Sequence, residues 1–176
     1  MTEKSGVCVL GVYNADLIFR ADRQPVLGET LLGTSFGMGP GGKGSNQTVA
    51  AARSGAKTTF ISKMGRDDFG AAGIAMLERE GVTVLVERVA DNSTGAAYIF
   101  VQNGTGSNAI IVVPGAAGTL TAADIDLHAD AIRGASVFLT QLEQPIPAAV
   151  RGLEIAKASG TITILNTAPA APLDDA

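Results

Sequence analysis

The sequence predicts an α/β protein, a parallel β-sheet flanked by helices with a smaller β-structure inserted into it. Three observations carry this. Short apolar runs of buried-strand type at Val7–Val12, Thr58–Ser62, Ser136–Thr140 and Thr161–Leu165 alternate with segments of helical periodicity, the pattern that right-handed crossovers turn into a parallel sheet. Two stretches, 17–36 and 94–113, break that alternation, being extended and turn-rich with no helix of their own. Polar residues collect where apolar runs end, and ligands gather at the carboxyl ends of strands in open parallel sheets.

Val7–Val12 reads as the first strand, ending at Tyr13-Asn14-Ala15-Asp16. The one cysteine, Cys8, lies inside it and reads as a buried, inert thiol with no intramolecular disulfide open to it. Leu17–Phe36 reads as hairpin-like extended structure ahead of a glycine-rich loop from Gly37 to Gly44. A helix follows, with Ser45 or Asn46 as N-cap, Val49, Ala50 and Ala52 on its packed face, and Gly55 as its stop. Thr58–Ser62 is the next strand, Gly65-Arg66-Asp67-Asp68-Phe69-Gly70 a loop, Ala71–Glu80 a helix closed by Gly81, and Val82–Val89 extended. Arg66, Asp67 and Asp68 read as a structural loop and solvated face. Thr94–Val101 and Ala109–Val113 flank Gln102–Asn108, whose Asn103-Gly104 marks a β-hairpin. Helix 122–133, strand Ser136–Thr140, helix Pro147–Ser159 and strand Thr161–Leu165 then resume the alternation.

Length and composition bound the rest. A chain of 176 residues has enough length for one core, burying roughly 70% of its unfolded surface. With 46% hydrophobic and 17% charged residues and a mean hydropathy of +0.26, the composition is that of a compact protein. No repeat or interdomain linker interrupts it, so 1–176 reads as one unit. A net charge of −4 leaves no electrostatic footprint for nucleic acid. The N-terminal apolar run falls short of a secretory h-region or a membrane span, so no membrane partner and a cytoplasmic location are expected. His128, the single histidine, has no second histidine or cysteine placed to share a metal, and none is expected.

The stretch GMGPGGKGSNQTVAAARSG, residues 37–55, fits two nucleotide-binding patterns imperfectly. As a P-loop it lacks the hydroxyl that must follow the lysine, because Gly44 follows Lys43 and Ser45 comes one residue late. As a dinucleotide fingerprint it places Pro40 inside the tight turn, and in either case a long extended insertion separates it from the first strand. A third reading follows from hydrogen-bonding capacity. Asn14, Asp16, Lys43, Asn46 and Glu143 fall at strand ends or at the loop-to-helix junction. Carboxylates accept from vicinal hydroxyls, carboxamides both donate and accept, and Gly41 and Gly42 let the backbone approach a small ring. These are the ligands of a polyol.

Asn14-Ala15-Asp16, Gly28-Glu29-Thr30, Gly41-Gly42-Lys43-Gly44-Ser45-Asn46-Gln47, Gly65-Arg66-Asp67-Asp68-Phe69-Gly70, Ser93-Thr94-Gly95, Gln141-Leu142-Glu143 and Asn166-Thr167-Ala168-Pro169 resemble the ribokinase family of ATP-dependent sugar kinases. The resemblance implies a Rossmann-type parallel sheet with a small β-sheet lid built from segments 17–36 and 94–113. It implies that Asn14, Asp16, Gly41, Gly42, Lys43, Asn46 and Glu143 bind the sugar. Alternation puts Ala97 and Ile99 on one lid face, where they either shield the ring from water or pack the lid. The resemblance further implies ATP with Mg²⁺, a monovalent cation such as K⁺, a small sugar as substrate, and a homodimer formed through the lid. The reaction it implies is conversion of D-ribose to ribose 5-phosphate; fructose or adenosine as substrate, and a non-catalytic sugar-binding module, are the rival readings. It covers only the N-terminal part of such a kinase. The family's catalytic base is an aspartate in a Gly-Ala-Gly-Asp loop, and Gly115-Ala116-Ala117-Gly118-Thr119 lacks the aspartate and comes too early. No catalytic residue is therefore expected in this chain; the base, the ATP pocket and the C-terminal part of the fold are expected beyond residue 176, and the chain alone is expected to be inactive.

Overall fold

The computed structural model describes residues 4–172, so the ends of the expected unit, 1–3 and 173–176, lie outside the described residues. The central strand β1 (Val7–Leu10) pairs in parallel with β4 (Thr58–Gly65) on one side and β8 (Val137–Thr140) on the other. With β5 (Thr83–Val89) and β9 (Ile162–Leu165) outermost, the order is β5-β4-β1-β8-β9, all parallel. Both faces of β1 are covered, which is why its sequence is a continuous apolar run. Val9 packs with Phe60, Met64 and Leu77 beneath α1 (Lys43–Arg53) and α2 (Asp68–Arg79). Cys8 and Leu10 pack with Ile61, Phe138, Ile132 and Ile155 on the side of α3 (Ala122–Asp126), α4 (Ala129–Gly134) and α5 (Ile146–Ala158). Burial pushes the Cys8 thiol up to about 12, consistent with an inert core residue.

A second, four-stranded sheet runs β3 (Ser35–Gly41), β2 (Asn14–Ala21), β6 (Gly95–Gln102), β7 (Asn108–Val113). Strand β2 is antiparallel to β3 and parallel to β6, and β6–β7 is the hairpin that Asn103-Gly104 announces. The stretch 17–36 is hairpin-like as expected, β2 and β3 pairing antiparallel, but a long loop and not a tight turn separates Ala21 from Ser35. The glycine-rich loop is mostly strand as well. Gly37, Gly39 and Gly41 alternate with Met38 and Pro40 along β3, so the period of two is present but glycine, disfavoured in strands, disguises it. Pro40 is tolerated because β3 is an edge strand.

Helix α1 starts at Lys43 with Gly42 as N-cap, ahead of the expected Ser45 or Asn46. The Ser45 hydroxyl donates backwards to the Gly41 carbonyl at 2.5 Å instead of capping forwards. Ala50 is exposed, and the packed face carries Val49 and Ala52 with Gly44, Ser45 and Thr48 buried. Helix α2 starts at Asp68 instead of Ala71, capped by Asp67, whose carboxylate accepts from Gly70 N. The segment 122–133 is two short helices broken at Leu127–His128, the first opened by a Thr121–Asp124 capping box. Among the described residues no helix is long and apolar enough to cross a membrane.

Candidate functional site

Three junctions meet where the two sheets join: the exit from β1 into β2, the passage from β3 into α1, and the turn after β8. The backbone is pressed together there. A Cβ on Gly44 would lie 2.7 Å from the Gly11 Cα, and Ser45 N donates to the Val12 carbonyl at 3.1 Å. Gly42, at φ 91°, makes the bend between strand and helix that a side chain would disfavour.

Glu143, from the turn after β8, reaches this bend. Its Oε2 accepts from Lys43 N at 2.7 Å and its Oε1 from Lys43 Nζ at 2.8 Å. The carboxylate thus caps the N-terminus of α1, where the helix dipole favours negative charge, and holds the ammonium beside it. Asp16 lies close by. A Cβ on Gly41 would fall 2.0 Å from its Oδ1, so the carboxylate sits directly over that glycine. Burial, and after it the charge of Glu143, raises the Asp16 carboxyl above its ordinary range. Among the described residues no donor hydrogen-bonds to the Asp16 carboxylate. Asn14 is 3% exposed, and its Oδ1 is buried with no partner among the described residues, next to the backbone of Gly95.

The structure therefore brings together Asn14, Asp16, Gly41, Gly42, Lys43 and Glu143. Asn46 is exposed one turn into α1; its side chain makes no hydrogen bond to Lys43 or Glu143, and it lines a hollow of about 460 Å³ with Pro40, Val49, Arg53 and Met76. Ala97 pairs with Asp16 and Ile99 with Ile18 across β2–β6, sharing one face of the second sheet. On the same face Gly39 pairs with Asp16, and nothing lies within 4 Å of where its Cβ would stand. Small residues thus leave room beside the carboxylate.

Sequence reasoning left one pair out of the site. Gln141, fully buried, donates from Nε2 to Gln47 Oε1 and so ties α1 to the turn carrying Glu143. Its signal was present, because each glutamine sits four residues or fewer from a proposed ligand within the motifs GKGSNQ and QLE.

Two carboxylates, an ammonium, a carboxamide and glycine backbone converge at this junction, groups able to hydrogen-bond a hydroxyl-rich ligand. The chain belongs to the pfkB family of carbohydrate kinases, which matches residues 4–175. It is 40% identical over 171 residues to the bifunctional ribokinase/ribose-5-phosphate isomerase A of Fructilactobacillus sanfranciscensis, covering 96% of this chain and 32% of that protein. It is 40% identical over 169 residues to mouse ribokinase, covering 96% of this chain and 52% of that protein. The structure of Arabidopsis thaliana ribokinase complexed with ribose and ATP superposes with a TM-score of 0.82 at 29% identity, over 92% of this chain and 53% of that one. The chain spans about half the length of these relatives, or less.

Proposed function

We propose that this chain forms the sugar site of an ATP-dependent kinase that converts D-ribose to ribose 5-phosphate. The convergence of Asp16 with the Lys43–Glu143 pair at the junction of the two sheets carries the reading. In it, Asp16 accepts from vicinal hydroxyls, and the buried Asn14 Oδ1 accepts a further one. Lys43 Nζ donates, Glu143 completes the set, and Gly41 and Gly42 admit the ring against the backbone, while Asn46, exposed on α1, stands outside it. The second sheet acts as a lid, with Ala97 and Ile99 shielding the ring. Fixing the sugar in one pose lowers the entropic part of the barrier, and excluding water suppresses hydrolysis of the donor.

ATP as donor is supported by the ribose and ATP complex of the Arabidopsis relative. Among the described residues no group of three or more His, Cys, Asp or Glu side chains is placed to hold a metal ion. In this reading Mg²⁺, a monovalent cation and the proton-accepting base belong to other parts of the complete protein, and the role of this chain is to bind and orient the sugar. A homodimer through the outer lid face belongs to the same reading. Phe19 stacks near Phe36 and Tyr98, with ring centroids 5.1 and 5.6 Å apart, and Phe36, Met38 and Ile111 beside them are more than half exposed; sedimentation analysis tests it.

Calorimetry with ribose, 2-deoxyribose, fructose and adenosine tests the sugar site, and phosphorylation of the same panel by the full-length kinase tests the reaction. Ribose is expected to bind and react best; a preference for adenosine rejects the assignment. Affinity should also depend on pH in a particular direction. The Asp16 carboxyl titrates above the ordinary aspartate range because burial and Glu143 disfavour its charge. The ionised acceptor is present at neutral pH and is lost as pH falls through that raised value. Ribose binding should therefore weaken at a pH where an ordinary aspartate is still charged, and titrations across pH 7 to about 4 would detect it.

A further inference from the structure

We propose that Asp67 is a positioning residue for the sugar site, acting through Thr94 to fix the point where β6 leaves the α/β body. The inference rests on the sugar-site reading above. Asp67 caps α2 through one oxygen, Oδ1, which accepts from Gly70 N at 2.8 Å. A cap needs no more than that. Yet Asp67 Oδ1 also accepts from Thr94 Oγ1 at 2.7 Å, and Oδ2 accepts from Thr94 N at 2.7 Å, across 27 positions of sequence. Thr94 is 2% exposed, and its Oγ1 accepts in turn from Gly65 N at 3.0 Å.

The turn is moulded around this contact. A Cβ on Gly65 would lie 2.6 Å from Thr94 N, and one on Gly70 would lie 2.7 Å from Thr94 Oγ1. Arg88, from β5, donates to the carbonyls of Gly65 at 2.8 Å and Asp67 at 3.2 Å, holding the turn from its other side. Burial opposes ionisation of Asp67, but the bonds from Thr94 and Gly70 outweigh it and hold the carboxyl below its ordinary range. The bonds are charge-assisted, the stronger kind.

What Thr94 anchors is the edge of the site. The next residue, Gly95, begins β6, pairs with Asn14, and packs so closely that a Cβ on it would lie 2.2 Å from Asn14 Oδ1. Two residues further on, Ala97 pairs with Asp16. A shift at Thr94 is thus passed directly to the neighbours of two proposed sugar ligands, although Asp67 touches neither.

Asp67→Asn separates this role from capping. Asparagine is as good an N-cap as aspartate, but its Nδ2 would face the donor Thr94 N. Hydrogen exchange and ribose calorimetry are to be measured on the wild type, Asp67→Asn, Thr94→Val and Thr94→Ser. The expected result is exchange about tenfold faster in β6 and ribose binding about tenfold weaker in Asp67→Asn and Thr94→Val. Exchange in α2 should be unchanged, and Thr94→Ser should behave as the wild type. If β6 exchange and ribose affinity in Asp67→Asn and Thr94→Val stay within about twofold of the wild type, or if α2 loosens along with β6, the positioning role is overturned. A wild type that binds no ribose refutes the sugar-site reading and the positioning role with it. Faster β6 exchange in Asp67→Asn alongside normal ribose binding instead refutes the positioning role alone.

Discussion

Replacing Asp16 with asparagine is expected to weaken ribose binding by two orders of magnitude or more while leaving the fold as stable as before, or slightly more so. The two halves of that expectation have one cause. Asp16 is half-buried, its carboxylate receives no hydrogen bond from the described residues, and it stands within reach of the Glu143 charge, so its ionised form is disfavoured. A carboxylate kept in that position adds nothing to folding. It is an acceptor prepared for donors that arrive with a ligand. Loss of a charged acceptor from a buried polar contact costs about 1.5–3 kcal/mol, and each 1.4 kcal/mol is about tenfold in affinity. An amide that presents its NH₂ to a hydroxyl adds the penalty of a mispaired donor. Removing the charge also relieves repulsion from Glu143, hence the neutral or favourable effect on stability, as for other functional residues that strain a fold. Calorimetry and urea denaturation of Asp16→Asn would check both halves, and a variant that unfolds early while still binding ribose would contradict the reading.

Gly42→Ala is expected to be the most disruptive single methyl in the site, lowering stability by about 2–4 kcal/mol. Part of this is backbone strain, since φ is 91° at Gly42 and L side chains rarely adopt that conformation. The larger part is collision. The new Cβ would stand 2.4 Å from the Val12 carbonyl oxygen and 3.1 Å from Asn14 N, both backbone atoms with nowhere to rotate. Moving them separates the β1–β2 exit from the start of α1 and breaks the Ser45 N to Val12 O bond. Gly55→Ala provides the control. Gly55 has nearly the same φ, 90°, but nothing lies within 4 Å of its would-be Cβ, so it should lose only about 1 kcal/mol, the strain alone. Urea unfolding of the two variants separates the effects, and equal losses would show that the close approach at Gly42 is unimportant.

The parallel body was legible because burial on both faces of β1 leaves an apolar run, and because short strands at β4, β8 and β9 alternate with helical segments, although β9 is an edge strand and largely exposed. Strand β3 was misread because its even-numbered side chains alternate with glycines, which resemble a loop to any propensity argument. The break at Leu127–His128 had no glycine or proline to mark it. At the site, the ligand types were legible as motifs, but the meeting of Lys43 with Glu143 a hundred residues away is a consequence of β1 and β8 lying side by side. The Asp67–Thr94 contact was not legible. Each residue is ordinary in its own turn, and only the path of β6 past the β4–α2 turn gives the pair its meaning.

The parallel pairing of β2 with β6 has a kinetic consequence. These strands are adjacent in space, yet β3, α1, β4, α2 and β5 intervene between them along the chain. Closing so large a loop sacrifices chain entropy before any contact compensates for it, and pairings of high sequence separation slow folding. Strand β8 closes a longer loop still onto β1, so both sheets are held by pairings expected to form late in folding. A ligand held where the two sheets join would act as a keystone, set in place after the arch and steadying it.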